Sequence, residues 1–176
     1  MGCCSSNQDM LGNDETGLDE SKHGTLKGFN ETMEQMFGDK LLKNGEEPVE
    51  VSCLQGKIVG VYFSAHWCPP CQTFTPKLVE FYEVCKTAGH PFEIVFISCD
   101  NKEEEFNNYF GSMPWLAMPF AGSDDQRKKA LSEKFSCRGI PLLALIDTAA
   151  KQIITLDGRS EVMKDPNAKR FPYKRR

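Results

Sequence analysis

The chain has 176 residues, of which 40% are hydrophobic and 26% are charged. This length suits one domain of ordinary size with a tail and excludes a second full domain. The formal net charge of −4 argues against a general nucleic-acid binder, which would present a basic face. No apolar run approaches the roughly 18 residues of a membrane-spanning helix, and the N-terminus lacks the apolar stretch of a secretory signal peptide.

Residues 1–24 are predicted to form a disordered tail, because they are rich in polar residues and glycine and show almost no apolar periodicity. The opening Met-Gly-Cys-Cys-Ser-Ser fits the N-myristoylation pattern, with Gly2 exposed after removal of the methionine. One myristoyl chain binds a membrane only marginally, so a second signal is needed. Residues 7–20 contain five acids and no base, which leaves palmitoylation of Cys3 and Cys4. The sequence thus predicts a lipid-anchored tail, with a disordered start and two incidental cysteines as the alternative.

Residues 25–176 are predicted to form one domain of strands and helices. It begins with a short amphipathic helix whose apolar positions run from Phe29 to Leu41, followed by a turn over 43–48. The predicted strands are, in chain order, Val49–Val51, Ile58–Phe63, Phe92–Ile97, Leu142–Ile146 and Ile153–Leu156. Three helices are predicted after these first elements. The first begins at Pro70 and ends at Gly89, the second is capped by Asn101, and the third is capped by Ser123 or Asp124.

The order of these elements predicts an α/β fold with a mixed central sheet. Strands separated by a helix are expected to be parallel, whereas the short link over 147–151 predicts an antiparallel hairpin at the end of the domain. The sheet is therefore expected to be flanked by helices on both faces.

The segment Trp67-Cys68-Pro69-Pro70-Cys71 lies where a buried strand is predicted to end and a helix to begin. The first N–H groups of a helix lack internal partners and carry partial positive charge, so they would stabilise a thiolate at Cys68. The pKa of that thiol would fall below its free value of about 8.5. Cys71, one turn further on, could then attack a mixed disulfide at Cys68 and release a substrate. Trp67 would offer a flat apolar wall beside the reactive sulfur.

Two other interpretations of this cysteine pair are half of a zinc site and a chance pair of core cysteines. Structural zinc usually takes four ligands from two pairs, and no second Cys-x-x-Cys or His-x₃₋₅-His is present. With no signal peptide, the cytosol is the expected compartment, where structural thiols stay reduced. The position between strand and helix favours redox chemistry and no bound metal. The remaining internal cysteines are singletons: Cys53, Cys85, Cys99 and Cys137.

Ile140-Pro141 immediately precedes a predicted strand. A cis peptide bond there would turn the chain sharply and present the backbone of Ile140 to an extended substrate. From the residues alone, a trans proline at the start of a strand is the favoured interpretation, since only about 5–6% of X–Pro bonds in folded proteins are cis.

Several motifs in the right order resemble the nucleoredoxins and the related tryparedoxins, which are thioredoxin-fold disulfide oxidoreductases. The resemblance covers roughly 36–173. It implies a thioredoxin-like fold, with Cys68 as the nucleophile, Cys71 as the resolving thiol and Pro141 as the cis-proline. Trp115 is expected to line the substrate groove, with a place in the core as the alternative. The motifs are Gly38–Leu42, Val61–Cys71 (VYFSAHWCPPC), Met113–Phe120 (MPWLAMPF), Gly139–Pro141, Gly158-Arg159, Lys164–Pro166 and Phe171-Pro172.

The chain departs from the family pattern at three positions. Gln72 stands where the family usually has arginine, which weakens the case for an anionic or glutathione-like substrate. Leu142 replaces the usual threonine after the cis-proline. Tyr62 occupies the position of the buried aspartate of thioredoxin, as expected of nucleoredoxins, so proton transfer must use another group or water.

The sequence therefore predicts a protein-disulfide reductase that works through a Cys68–Cys71 dithiol/disulfide cycle and needs no other cofactor. Its expected partners are protein disulfide substrates, an upstream thiol reductant and, through the acylated tail, the cytosolic face of a membrane; it is expected to be a monomer that binds no nucleic acid. A redox-sensitive partner-binding adaptor and a trypanothione-dependent tryparedoxin are the alternatives. Cys85 and Cys99 are predicted core thiols. Cys137 lies four residues before Pro141 and could approach the active site, but a structural or incidental thiol is the favoured interpretation.

Overall fold

The computed structural model describes residues 28–122 and 125–173. In this part of the chain, helices and strands alternate around one sheet. The elements are α1 (Met33–Phe37), β1 (Lys40–Lys43), β2 (Glu46–Glu50), a 3₁₀ helix (Val51–Leu54), β3 (Ile58–Ser64), α2 (Pro69–Thr87), β4 (Phe92–Ser98), α3 (Glu103–Phe110), β5 (Leu116–Ala117), α4 (Gln126–Lys134), β6 (Leu142–Asp147), β7 (Gln152–Thr155) and α5 (Gly158–Lys164).

The described strands form a mixed sheet in the order β2-β1-β5-β4-β3-β6-β7. The central strand β3 pairs in parallel with β4, from Ile58 opposite Phe92 to Ser64 opposite Ser98. On its other side β3 pairs antiparallel with β6, and β6 with β7. The predicted mixed sheet and the predicted terminal hairpin are therefore confirmed.

Each face of the sheet carries its own apolar core, because side chains alternate along a strand. On β3, Tyr62 faces a cluster formed with α2, α3 and α5, whereas Val61 and Phe63 face a second cluster formed with α1, the 3₁₀ helix and α4. Strands β3 and β4 are buried along their whole length, as expected of the centre of a sheet covered on both faces. The predicted α/β, thioredoxin-like fold is confirmed.

The structure corrects several predicted boundaries. Helix α1 is only five residues long: a capping box at Thr32 starts it, and Gly38, at φ +86°, ends it, so that Leu41 lies in β1. The predicted turn over 43–48 is shorter, because its second half already belongs to strand β2, whose exposed Glu and Pro side chains gave no strand signal.

Two helix starts also differ from the prediction. The N-cap of α3 is Lys102 rather than Asn101, whose N–H donates to the Glu105 side chain instead. The N-cap of α4 is Asp125, whose carboxylate accepts from the N–H of Arg127. The two residues that the sequence favoured for this cap, Ser123 and Asp124, lie outside the described residues.

The predicted disordered tail over 1–24, with Gly2, Cys3 and Cys4, also lies outside the described residues. Within 28–122 and 125–173, none of the helices combines the length and the apolar character needed to cross a bilayer.

Candidate active site

The two cysteines of the predicted redox pair lie where β3 leads into α2. Cys68 is the N-cap of α2: its N–H donates to the carbonyl of Ala65 (3.3 Å), and its carbonyl accepts from the N–H of Gln72 (3.0 Å). Pro69 and Pro70 fill the first two helical positions, where a missing N–H costs little. The local sequence thus ends the strand, turns the chain and starts the helix at Cys68.

Cys68 and Cys71 are joined by a disulfide, with their Cα atoms 5.2 Å apart. Cys68 is 4% exposed and Cys71 is fully buried. When the pair is reduced, the sulfur of Cys68 lies at the positive end of a 19-residue helix, which favours its thiolate. Cys68 is also the more exposed residue of the pair.

The loop that contains Pro141 faces this pair. The Ile140-Pro141 peptide bond is cis, as the family resemblance implied. The carbonyl oxygen of Ile140 lies 3.8 Å from Sγ of Cys68, and the Ile140 side chain packs against the pair. A segment of backbone is therefore presented directly beside the reactive sulfur.

Of the two predicted substrate-contacting tryptophans, one lies at the surface and the other in the core. Trp67 is 52% exposed, and its Nε1–H donates to the carbonyl of Cys99 (3.3 Å), which holds the indole beside the pair. Trp115 is 1% exposed and packs edge-on against Tyr62 and Tyr82. The expectation that Trp115 lines the substrate groove is wrong, because its ring fills the core between the sheet and α2.

The remaining internal cysteines occupy different surroundings. Cys85 is fully buried, and burial raises its pKa to about 12, so it is an inert core thiol. Cys53 is half-buried, and burial raises its pKa as well. Cys137 is half-buried and directs its Sγ to the carbonyl of Gly139 (3.6 Å). Cys99 is half-buried and packs against the cluster that contains Cys68 and Cys71. Unlike Cys85, it therefore lies beside the site and not deep in the core.

A buried carboxylate ties the active-site loop to the neighbouring strand. Oδ1 of Asp100 accepts from the N–H of His66 (2.7 Å), and Oδ2 accepts from the hydroxyl of Ser98 (2.8 Å). Burial raises the pKa of Asp100. Across the loop, the side-chain amide of Gln72 donates to the carbonyl of His66. Sequence reasoning missed Asp100, although its place two residues after β4 puts it at the end of the sheet where β3 also ends.

Four buried hydroxyl groups also connect β3, α2 and α3 next to Cys71. They belong to Tyr62, Ser64, Thr75 and Tyr109, all at most 7% exposed. Thr75 lies one helical turn after Cys71, which is the one signal in the sequence that pointed to this contact.

The zinc interpretation finds no ligand set in the part of the chain that the structure describes. Within 28–122 and 125–173, no group of three or more His, Cys, Asp or Glu side chains is arranged to hold a metal ion.

The structure thus brings together the cysteine pair at the start of α2 and the cis-proline, as expected of a thioredoxin-like fold. Comparison of the sequence with known proteins points to the same fold. A family of domains described as thioredoxin-like matches residues 56–152. A nucleoredoxin from Danio rerio is 47% identical over 139 residues, which make up 79% of this chain and 32% of that protein. A tryparedoxin from Trypanosoma brucei brucei is 45% identical over 135 residues, which make up 76% of this chain and 89% of that protein.

Solved structures support the same relationship. Tryparedoxin II from C. fasciculata superposes with a TM-score of 0.74 at 38% identity, covering 82% of this chain and 99% of the other. The chain therefore belongs to the thioredoxin-like family, among the nucleoredoxins and tryparedoxins. It spans about a third of the length of the nucleoredoxins that it matches.

Proposed function

We propose that the protein reduces disulfides in other proteins through a dithiol/disulfide cycle of Cys68 and Cys71. The observation that carries the proposal is the position of this pair at the N-terminus of α2, with the Ile140 carbonyl 3.8 Å from Sγ of Cys68.

The cycle begins with the reduced pair. The Cys68 thiolate attacks one sulfur of a substrate disulfide, forming a mixed disulfide and expelling the other substrate sulfur as a thiolate. The Cys71 thiolate then attacks Sγ of Cys68, which releases the second substrate thiol and leaves the Cys68–Cys71 disulfide seen in the structure. An upstream dithiol reductant returns two electrons and two protons to the pair.

The surface around the pair supports a protein substrate. The half-buried Ile140 presents its carbonyl next to the reactive sulfur, where it can accept a hydrogen bond from an extended peptide. The exposed indole of Trp67 adds an apolar contact on the other side. Gln72 is neutral and directs its amide to the His66 carbonyl, so it adds no positive charge for an anionic thiol substrate.

The test is reduction of insulin by the purified protein with dithiothreitol as reductant. Cys68→Ser is expected to abolish turnover, and Cys71→Ser to leave a mixed disulfide between substrate and Cys68 that mass spectrometry detects. Cys53→Ser, in the 3₁₀ helix before the start of β3, is the control and should turn over normally. Full turnover by Cys68→Ser would refute the mechanism, and an inactive wild type that still binds partners would favour the adaptor.

We also propose that the protein is attached to the cytosolic face of a membrane through a myristoyl group on Gly2 and palmitoyl groups on Cys3 and Cys4. The support is the sequence pattern alone: Gly2 is followed by Ser6 at the favoured position, and one acyl chain would bind only weakly and reversibly.

Fractionation of cells that express each variant tests this attachment. Gly2→Ala should move the protein to the supernatant. The double change Cys3→Ser with Cys4→Ser should leave it mostly in the supernatant but still myristoylated. Ser5→Ala, at a position that the myristoylation pattern leaves free, is the matched control and should pellet like wild type. A Gly2→Ala protein that pellets like wild type would rule out the lipid anchor.

A further inference from the structure

The buried hydroxyl groups beside the redox pair form a connected network. Thr75, in α2, is its centre: Oγ1 donates to the carbonyl of Cys71 (2.9 Å) and lies 2.8 Å from the hydroxyl of Tyr62. The hydroxyl of Tyr109 also bonds Oγ1 of Thr75, and Ser64 Oγ lies 3.0 Å from that phenol oxygen. The network therefore joins β3, α3 and the first turns of α2.

The chemistry of the groups fixes the direction of every hydrogen bond. A carbonyl oxygen only accepts, and a threonine hydroxyl has a single proton. Because Thr75 gives its proton to the carbonyl of Cys71, both Tyr62 and Tyr109 must donate to Thr75. The proton of Tyr109 is then committed, so Ser64 is the donor to Tyr109. All four protons thus point along the network toward the carbonyl of Cys71.

Prolines surround Cys71 in the first turns of α2. Pro69 and Pro70, just before Cys71, have no N–H. Pro76 lies inside the helix and offers no N–H to the carbonyl of Gln72. Three prolines thus flank Cys71 within eight positions of the chain (69–76), and the hydroxyl network adds a side-chain hydrogen bond to the carbonyl of Cys71, next to the Gln72 carbonyl to which Pro76 cannot donate.

We propose that Thr75 is a positioning residue for the resolving step, holding Cys71 where its sulfur can attack the mixed disulfide on Cys68. The proposal rests on the dithiol cycle proposed above. An intramolecular attack is sensitive to placement, since a displacement of about 1 Å can cost roughly 100-fold in rate. Two donors that converge on the Thr75 hydroxyl also strengthen the bond that it donates.

Tyr62, Thr75 and Ser64 take part in the network without ionising. Burial raises the pKa of Tyr62 well above its usual range, so its phenol keeps its proton throughout the working pH range. Thr75 and Ser64 do not titrate at all. The network therefore positions Cys71 but does not take its proton.

Reaction of the fully reduced, full-length protein with the aromatic disulfide DTNB separates the two steps. Attack by Cys68 releases one coloured thiolate, and resolution by Cys71 releases a second. Cys68→Ser, run alongside, gives the contribution of the other cysteines. For Thr75→Val, which keeps the shape but removes the hydroxyl, the first phase should be unchanged and the second slowed about tenfold or more. Thr75→Ser, which keeps the hydroxyl, should restore the second phase.

Two further variants keep the test decisive. Tyr109→Phe removes one donor to Thr75 and should slow the second phase even if Thr75→Val does not fold. Tyr82→Phe removes a buried phenol that donates to Glu93 instead, and should leave both phases unchanged. A wild-type second phase in Thr75→Val and Tyr109→Phe would overturn the proposal, as would equal slowing of both phases. Absence of the first phase in wild type would instead overturn the dithiol cycle itself.

Discussion

Asp100 joins the ends of the two central strands at the active site. Its carboxylate accepts hydrogen bonds from the backbone of His66, two residues before Cys68, and from the side chain of Ser98 at the end of β4. It is 2% exposed, and the cost of burying its charge raises its pKa. The residue thus orders the loop that carries Cys68, and its charge opposes folding.

The pH dependence of stability should reveal this cost. Because the pKa of Asp100 is raised in the fold, the folded state binds its proton more tightly, and the related stability is lost as the pH rises through the folded pKa. Asp100→Asn is neutral at every pH and lacks this loss. The free energy of unfolding of the variant, minus that of wild type, should therefore increase from about pH 4 to about pH 7.

Urea unfolding at each pH measures this difference. Asp39→Asn, which removes an exposed carboxylate, is the control for the loss of a surface charge. A difference between Asp100→Asn and wild type that stays constant with pH would show that Asp100 does not carry the effect.

At this scale, the sequence predicted the residues whose chemistry depends on close neighbours in the chain. The sequence predicted Cys68 and Cys71 as a redox pair because only two residues stand between them and because they lie at a predicted strand-to-helix junction. The place of Trp115 was predicted wrongly because its motif does not reveal whether the indole lies in a surface groove or in the core. The sequence did not predict the hydrogen-bond network of Thr75, because Tyr109 lies on a different helix, 34 positions further along the chain.

Among the elements, α5 approaches the sheet most tightly at its first residue, Gly158. A Cβ added to Gly158 would lie 2.7 Å from the carbonyl oxygen of Leu143 in β6. That oxygen belongs to the backbone of a central strand and cannot move away cheaply. Glycine is therefore required where α5 begins.

Gly158→Ala should accordingly push α5 off the sheet and lower the free energy of unfolding by roughly 1–3 kcal/mol, the usual cost of overpacking. Gly139→Ala is the matched control, because nothing lies within 4 Å of its added Cβ. Thermal or urea unfolding of both variants provides the measurement. Equal stability of the two variants would contradict the close approach.

Buried strands were the most predictable elements, and edge elements the least. Strands β3 and β4 are mostly apolar, and their residues are buried on both faces, so composition alone predicts them. Strand β5 has only two residues, too few for a pattern. Strand β2 is mostly exposed and rich in glutamate, so its pairing depends on β1 rather than on its own side chains.

For the whole molecule, the chain beyond α5 completes the core over α2. Phe171 is 7% exposed, and its ring lies 5.8 Å from that of Phe81 and 4.9 Å from that of Phe92. Asp165, buried at the end of α5, accepts from the N–H groups of Lys169 and Arg170 and shapes the turn that returns the chain. The fold therefore continues well past residue 152, where the family match ends.

Loss of the Phe171 ring should consequently destabilise the entire domain. Phe171→Ala is expected to lower the free energy of unfolding by about 3–5 kcal/mol, the usual range for an aromatic core truncation. Leu156→Ala, at a side chain that is 42% exposed, should change it by less than about 0.5 kcal/mol. Urea midpoints of the two variants compare them directly, and similar midpoints would show that the C-terminal segment is dispensable.

The outer strands of the sheet have a consequence for how copies of the protein meet at high concentration. An unpaired strand edge is a template on which another chain can add, which leads to aggregation. Strand β2, at one edge, presents Glu46, Glu47 and Glu50 to solvent, and Pro48 lacks the N–H that a new strand would need. At the other edge, the backbone of Gly28 already bridges to Gln152 of β7. The glutamate charges and the proline on β2, together with the Gly28 bridge on β7, thus disfavour edge-to-edge association. Molecules at high concentration can therefore meet without extending one another's sheets.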